Sequence, residues 1–373
     1  MDLDARLLDR CHINKNDEGD RFVGIKADSE NAMVYFPVGY QLPETDQEIR
    51  RDILHLISVL AEFTDKSDRV LAMKKFEAPQ SVDFPINAYM EVINYYLEQN
   101  SYYTEKEPVF KTSDRGSIDW AKTIRKQRPL IQSDGSPVYT EYTVRVSSPN
   151  DKNLITQIHK YCVYESFQKL GWLFTPDLPP KPTIEKNTKM FLSVLNDKLA
   201  RTNNDKNKHL FTAMIAVLKY IDEQTNLKQF YFGTDSFEYV WEKLIDRVYG
   251  IKDKYKFFPR TRWYLKGKVK ENYALEPDSI MLHNGKIYVL DAKYYRYGIT
   301  GNPMHLPESS SINKQITYGE YIYTQERFKR EYGDDVPVYN AFLMPYNSAK
   351  NVFGFDSIYG NIGEAKGDWK VGD

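Results

Sequence analysis

Apolar residues recur along this chain at one of two spacings. Ile53, Leu54, Ile57, Leu60 and Phe63 fall at helical intervals within 49–63, and 86–97 reads the same way. Asn153 to Trp172 predicts one long helix with Ile155, Ile158, Tyr161, Cys162 and Phe167 inward. Helices are also predicted over 184–203 and 208–220, parted by the polar run 203–207. Another begins at Thr234 and Asp235, turns Phe237, Val240, Trp241, Leu244, Ile245 and Val248 to one face, and closes at Gly250. A last helix covers 311–323, a strand-like run stands at 32–37, and 336–345 reads as a buried strand. Thr175 to Pro182 reads as a rigid linker or sharp corner. There is no internal repeat.

The period changes to two between Leu275 and Tyr294, on both sides of Asn284-Gly285. That dipeptide is the strongest short hairpin signal, because a type I′ turn needs positive φ at both central residues. With the turn there, His283 pairs with Lys286 and the ladder brings Asp278 opposite Asp291. Lys293 follows two residues on, on the face of Asp291. Carboxylates directly across a ladder stand about 4.5–5.5 Å apart and repel one another, unless a cation lies between them. The bland reading is a surface hairpin in which Glu276 faces Lys293 as a plain ion pair.

Composition narrows the partners. Lys plus Arg number 51 against 52 Asp plus Glu, a net charge of −1, so any polyanion site must be a local patch. Two cysteines, Cys11 and Cys162, are too few for a disulfide framework or a zinc site and suit a reducing cytosol. The first residues do not read as a leader, and no apolar run approaches a membrane span, so a cytoplasmic protein with no membrane partner is expected. The length of 373 residues favours more than one domain. The 29 tyrosines fit cores, interfaces and base-stacking surfaces alike.

Two segments supply local basic patches. Lys122, Arg125, Lys126 and Arg128 surround Trp120, as a solvated face or as a phosphate- or subunit-contacting segment. Between Ile251 and Lys270, eight basic residues stand against the single Asp253, interleaved with Tyr255, Phe257, Phe258, Trp263 and Tyr264. Arg260, Arg262, Lys266, Lys268 and Lys270 lead into the hairpin and are the candidate DNA contacts, since such a stretch can hold phosphates and stack on bases. His159 reads as a packed or exposed histidine rather than a ligand.

Pro277-Asp278, followed by Asp291-Ala292-Lys293, resembles the PD-(D/E)xK nuclease motif. The resemblance implies that Asp278 and Asp291, with the Ala292 carbonyl, ligate Mg²⁺, for which Mn²⁺ can substitute. Lys293 would hold or help deprotonate the attacking water and offset charge at phosphorus. The expected fold is α/β (α+β): a restriction-endonuclease-like mixed sheet flanked by helices, with an N-terminal mixed α/β domain. More narrowly, the chain is similar to the McrC and LlaJI group of restriction nuclease subunits. The segments that carry this are Phe237 to Leu244, the hairpin motif, the helix with Lys314, Gln315 and Tyr318, and Ile118 to Ile124. By that resemblance Glu238 is a supporting acid and metal ligand, and Gln315 lies behind the ligands or contacts DNA. Glu238 has a second reading, as the partner of an Asp235 N-cap in a capping box.

Three parts are expected: a partner-docking or DNA-recognition domain over 1–115, a helical connection over 116–225 and the nuclease core over 226–373. The substrate would be double-stranded DNA. The resemblance also implies an McrB-like AAA+ GTPase partner, which this chain cannot itself be, having no G-x-x-x-x-G-K-[ST] loop. Alternatives are a stand-alone type II enzyme acting as a homodimer, an inactive DNA-binding or assembly subunit, and a repair or mobile-element nuclease.

Overall fold

A computed structural model describes residues 6–27, 32–63, 84–150, 152–175, 177–223, 230–357 and 359–367. Alternating burial in Ala32–Phe36 makes it a strand, as its sequence predicts. It is β3, preceded by β1 (Cys11–Ile13) and β2 (Val23–Ala27). β1 runs parallel to β3, and β2 runs antiparallel to it. The helix α1 (Asp46–Phe63) follows, with Ile49, Ile53, Ile57 and Leu60 buried. The side chain of Phe63, and Pro176 in the expected corner, lie outside the described residues.

The chain then builds a separate unit over Phe84–Leu227. It comprises α2 (Ile86–Gln99), β4 (Lys106–Thr112), β5 (Ser117–Ile118), α3 (Trp120–Lys126), β6 (Leu130–Ile131) and β7 (Pro137–Val138). β8 (Thr143–Pro149), α4 (Leu154–Leu170), α5 (Thr188–Arg201) and α6 (Asp205–Glu223) complete it. The four long helices bury Val92, Ile93, Ile158, Leu195, Phe211 and Met214 in one core. Every residue predicted to point inward from α4 is buried. His159 is buried as well, its Nδ1 accepting the Tyr103 backbone N–H at 2.9 Å, so it packs rather than ligates.

On its return the chain forms β9 (Phe230–Thr234), antiparallel to β2, in a four-stranded sheet of order β1-β3-β2-β9. The close crossing needs glycine on both strands. A Cβ on Gly24 would stand 2.1 Å from the Phe232 carbonyl oxygen, and one on Gly233 would stand 2.2 Å from that of Val23. This pairing links strands from the two ends of the chain. The contacts unite Met1–Asp83 with Lys228–Asp373, and the other unit is an insertion between them.

After β9 come α7 (Phe237–Tyr249), β10 (Arg260–Leu265), β11 (Lys268–Ala274), β12 (Ser279–His283) and β13 (Lys286–Ala292). The short α8 (Tyr297–Thr300), then α9 (Ser309–Thr324), α10 (Glu326–Tyr332) and β14 (Val338–Leu343) follow. β12 and β13 are antiparallel, and β13 and β14 are parallel, so the sheet is mixed. One face packs Ile280, Ile287 and Val289 against Tyr318 and Ile322 of α9. Alternation turns Tyr294, just beyond β13, to the other side, where it meets Phe237 and Trp241 of α7. The fold is the expected α+β type, a mixed sheet with a helix against each face. Among the described residues no helix is long and apolar enough to cross a membrane.

Candidate active site

The hairpin forms as its sequence predicts. Asn284 and Gly285 have φ of 49° and 70°, the two positive values a type I′ turn requires. His283 pairs with Lys286, and the ladder runs back to Ser279 opposite Leu290. One step further, Asp278 Oδ2 accepts the Ala292 N–H at 2.8 Å, which brings its carboxyl beside Asp291. Lys293 Nζ lies 2.8 Å from Asp291 Oδ2, and its own N–H donates to the Leu343 carbonyl at 2.8 Å. The parallel strand β14 thus fixes the backbone of the lysine while the hairpin fixes the two carboxylates.

Electrostatics mark this corner. Burial, then the hydrogen bond and charge of Asp291, then the charge of Glu242, push the Asp278 carboxyl up to about 7 against the opposing Ala292 N–H. Burial would lower Lys293. The hydrogen bond and charge of Asp291, helped by Asp278 and Tyr295, outweigh it and hold the ammonium above its ordinary value. The Tyr318 hydroxyl is pushed up to about 12, first by burial and then by the charges of Asp291, Asp278 and Glu276. α9 therefore closes one side of the carboxylate pair with a tyrosine.

The other expected residues are only partly brought here. Glu238 is exposed, and its charge acts on the Tyr294 hydroxyl rather than on Asp278. Among the described residues no three His, Cys, Asp or Glu side chains converge closely enough to hold an ion, so Glu238 does not complete a three-acid cluster. The capping box does not form either: Ser236 is the N-cap of α7 and makes no side-chain cap bond. Gln315 is 2% exposed, and both polar atoms of its amide are buried without a hydrogen-bond partner. That burial keeps the Gln315 amide away from solvent. Arg262 Nε is 2.8 Å from Glu271, and Arg260 lies 3.9 Å from the same carboxylate. Lys266, Lys268 and Lys270 are exposed.

Two residues escaped the sequence reading. Glu242, one helical turn after Glu238, is the α7 acid whose charge reaches Asp278. Helical spacing puts both glutamates on one side of α7 and cannot say which turn meets the hairpin. Lys254 stood among the basic run, but its Nζ bonds Asp246 Oδ2 at 2.6 Å and the Asp278 carbonyl at 2.7 Å. Only that geometry separates it from lysines facing solvent. Segments of the N-terminal region hold the residue after Lys293. Asn16 Nδ2 donates to the Tyr294 carbonyl at 2.7 Å, and the Val38 N–H donates to the Tyr294 hydroxyl at 2.7 Å.

A mixed sheet with a helix on each face, carrying two carboxylates and a lysine at one hairpin end, has the form of a restriction nuclease. The chain belongs to the LlaJI restriction endonuclease family, whose model matches residues 22–362. Two solved structures from Thermococcus gammatolerans are similar at low identity. One, a half-complex of McrB AAA+ hexamers with bound McrC, is 15% identical over 90% of this chain and 80% of that chain, with a TM-score of 0.34. The other, the cryo-EM structure of the McrBC complex, is 18% identical over 61% of this chain and 65% of that chain, with a TM-score of 0.24. No curated protein matches.

Proposed function

We propose that this restriction-family nuclease hydrolyses phosphodiester bonds of double-stranded DNA at Asp278, Asp291 and Lys293, with Mg²⁺ as cofactor and Mn²⁺ as a substitute. The carrying observation is the pair of adjacent carboxyls with Lys293 2.8 Å from one of them. The donor set fits a hard cation, because oxygen ligands of this kind suit Mg²⁺ and the two negative charges otherwise repel. Asp278, Asp291 and the Ala292 carbonyl would hold the ion. When bound, it supplies Lewis acidity at the phosphate and lowers the pKa of a coordinated water. Lys293 orients the attacking water and neutralises charge that develops on the phosphoryl oxygens. Lys293 would hold the attacking water or help deprotonate it.

The resemblance of Phe237 to Leu244 and of the hairpin to the McrC group supports an McrB-like AAA+ GTPase as partner, with cytoplasmic restriction of foreign DNA as the setting. A homodimer acting without a motor is the second reading among enzymes. The intact Asp278, Asp291 and Lys293 speak against an inactive subunit. Plasmid incubated with purified protein and Mg²⁺, with and without an McrB-like subunit and GTP, tests the reading. Cleavage should stop on chelation of the metal and in Asp291→Ala, and Lys293→Ala should stop cleavage while retaining metal binding. Full activity in Asp291→Ala would sink the assignment, and full cleavage without partner or nucleotide would favour the stand-alone enzyme.

A further inference from the structure

Among the described residues the strands β10 and β11 pair only with each other, as a two-stranded ribbon. Every residue of β10 is exposed, as are most of β11. An isolated hairpin of this kind is marginal in water, so a ribbon with open faces and large apolar side chains is built to lie against something. Its root is tied down where Leu275 N donates to the Pro259 carbonyl at 2.8 Å. The chain reaches Asp278 four positions after Ala274, the last ribbon residue. From that root, six residues of strand extend for about 20 Å.

The register sorts the side chains into unlike faces. Trp263 lies opposite Lys270 and Leu265 opposite Lys268, so these four share one face, joined by the Thr261 and Asn272 pair with its 2.8 Å hydrogen bond. That face carries two lysines and no carboxylate. The other face pairs Arg262 with Glu271 and Tyr264 with Val269. There Glu271 takes Arg262 at 2.8 Å and stands 3.9 Å from Arg260, so its one negative charge offsets only part of the guanidinium charge on this face.

We propose that this ribbon seats the nuclease in the major groove of duplex DNA, with the face of Trp263, Lys268 and Lys270 toward the DNA. The proposal rests on the nuclease reading and goes beyond it, since it assigns an element, a face and a groove. A major groove about 12 Å wide admits a two-stranded ribbon, whereas the minor groove, at about 6 Å, does not. The lysines hold backbone phosphates, and the indole and Asn272 amide meet base edges. The arm is rooted beside Asp278, so docking it fixes which phosphate reaches the carboxylate pair. The arginine face shares one carboxylate between two guanidiniums, whereas the lysine face carries two positive charges and no carboxylate, so the larger uncompensated charge is on the lysine face.

The test uses the full-length chain in chelator, where it binds without cutting, on a labelled duplex. Lys268→Gln with Lys270→Gln should weaken binding at least tenfold and reduce the slope of log K against log salt by about 1.8, near 0.9 for each lysine. Tyr264→Ser with Val269→Ser, on the opposite face, should change neither quantity, with equal melting temperatures confirming that both variants fold. A duplex whose cytosines carry glucosylated hydroxymethyl groups, which fill the major groove, should bind weakly. Netropsin in the minor groove should have no effect. The proposal is overturned if the wild-type chain does not bind duplex, if the tyrosine face carries the affinity, or if the groove blocks act in reverse. It is equally overturned if the lysine pair changes only the oligomeric state, which would make this face a contact between copies. If the wild type nicks plasmid with Mg²⁺ and the lysine variant binds and nicks alike, only the ribbon assignment fails. A wild type that never nicks, with or without partner, defeats the nuclease reading instead.

Discussion

At Asp278 the backbone and the side chain are held by different residues. The side chain takes the Ala292 N–H, while the carbonyl takes Lys254, which also bonds Asp246. Gly250 lies in the same corner, where a Cβ would stand 2.3 Å from Asp246 Oδ1 and 2.7 Å from Ser279 Oγ. Lys254→Met should therefore loosen the turn into β12. Losing hydrogen bonds to a charged group should cost about 1–3 kcal/mol in denaturant unfolding and raise the Mg²⁺ concentration needed for half-maximal cleavage. A variant with unchanged metal dependence would reduce Lys254 to a stabilising contact. The two glutamates of α7 separate in the same assay. Glu242→Gln should weaken metal binding by calorimetry and Glu238→Gln should not, because the charge of Glu242 reaches Asp278 and that of Glu238 reaches Tyr294. The reverse ranking would restore Glu238 as the supporting acid.

Elements whose partners are adjacent in sequence were legible before the structure. The hairpin and its register follow from Asn284-Gly285 and alternation, and the inward face of α4 follows from its apolar spacing. Less legible was what a polar residue on such a face would do. His159 sits inside α4 with Nε2 buried and unpartnered, and burial lowers its pKa from 6.5 to about 3. The sign follows from linkage. A histidine whose folded pKa lies below its unfolded value leaves the unfolded chain holding more protons between those values, so stability is lost as pH falls through this window. Unfolding free energy should drop by up to about 1.4 kcal/mol per pH unit below 6.5. His159→Asn should be less stable at pH 7 yet have a flatter pH dependence between pH 5 and 6.5, as measured by denaturant titration. An equal slope in both proteins would mean that His159 protonates without unfolding.

At the scale of the molecule, Met1–Asp83 and Lys228–Asp373 form one compact unit. β2 pairs with β9, and Asn16 and Val38 both hold Tyr294, the neighbour of Lys293. A fragment beginning at Asp114 should therefore lose cooperative unfolding and calorimetric Mg²⁺ binding together. Retention of the metal site by that fragment would show that β12, β13 and β14 suffice. The insertion over Phe84–Leu227 is a better place to look for partner contacts, since Trp120, Ile124, Leu130 and Ile131 are each more than half exposed there. Replacing Ile124 and Ile131 by Ser should leave the melting temperature unchanged, and loss of co-elution with an McrB-like ring would locate the contact on this unit.

The sequence by itself determined the long helices, the I′ turn, the hairpin register and the meeting of Asp278, Asp291 and Lys293. Each depends on backbone preference or periodicity within about twenty residues, where chain connectivity leaves few alternatives. Tertiary structure decided that β2 finds β9 across two hundred residues, because nothing periodic in either strand names its partner. It also decided which glutamate of α7 reaches Asp278, that Gln315 is buried, and that Lys254 is a brace rather than one more basic residue in its run. A charge in a sequence has a sign but no neighbours. Its role depends on distances of a few ångströms, which packing between elements sets and local pattern does not.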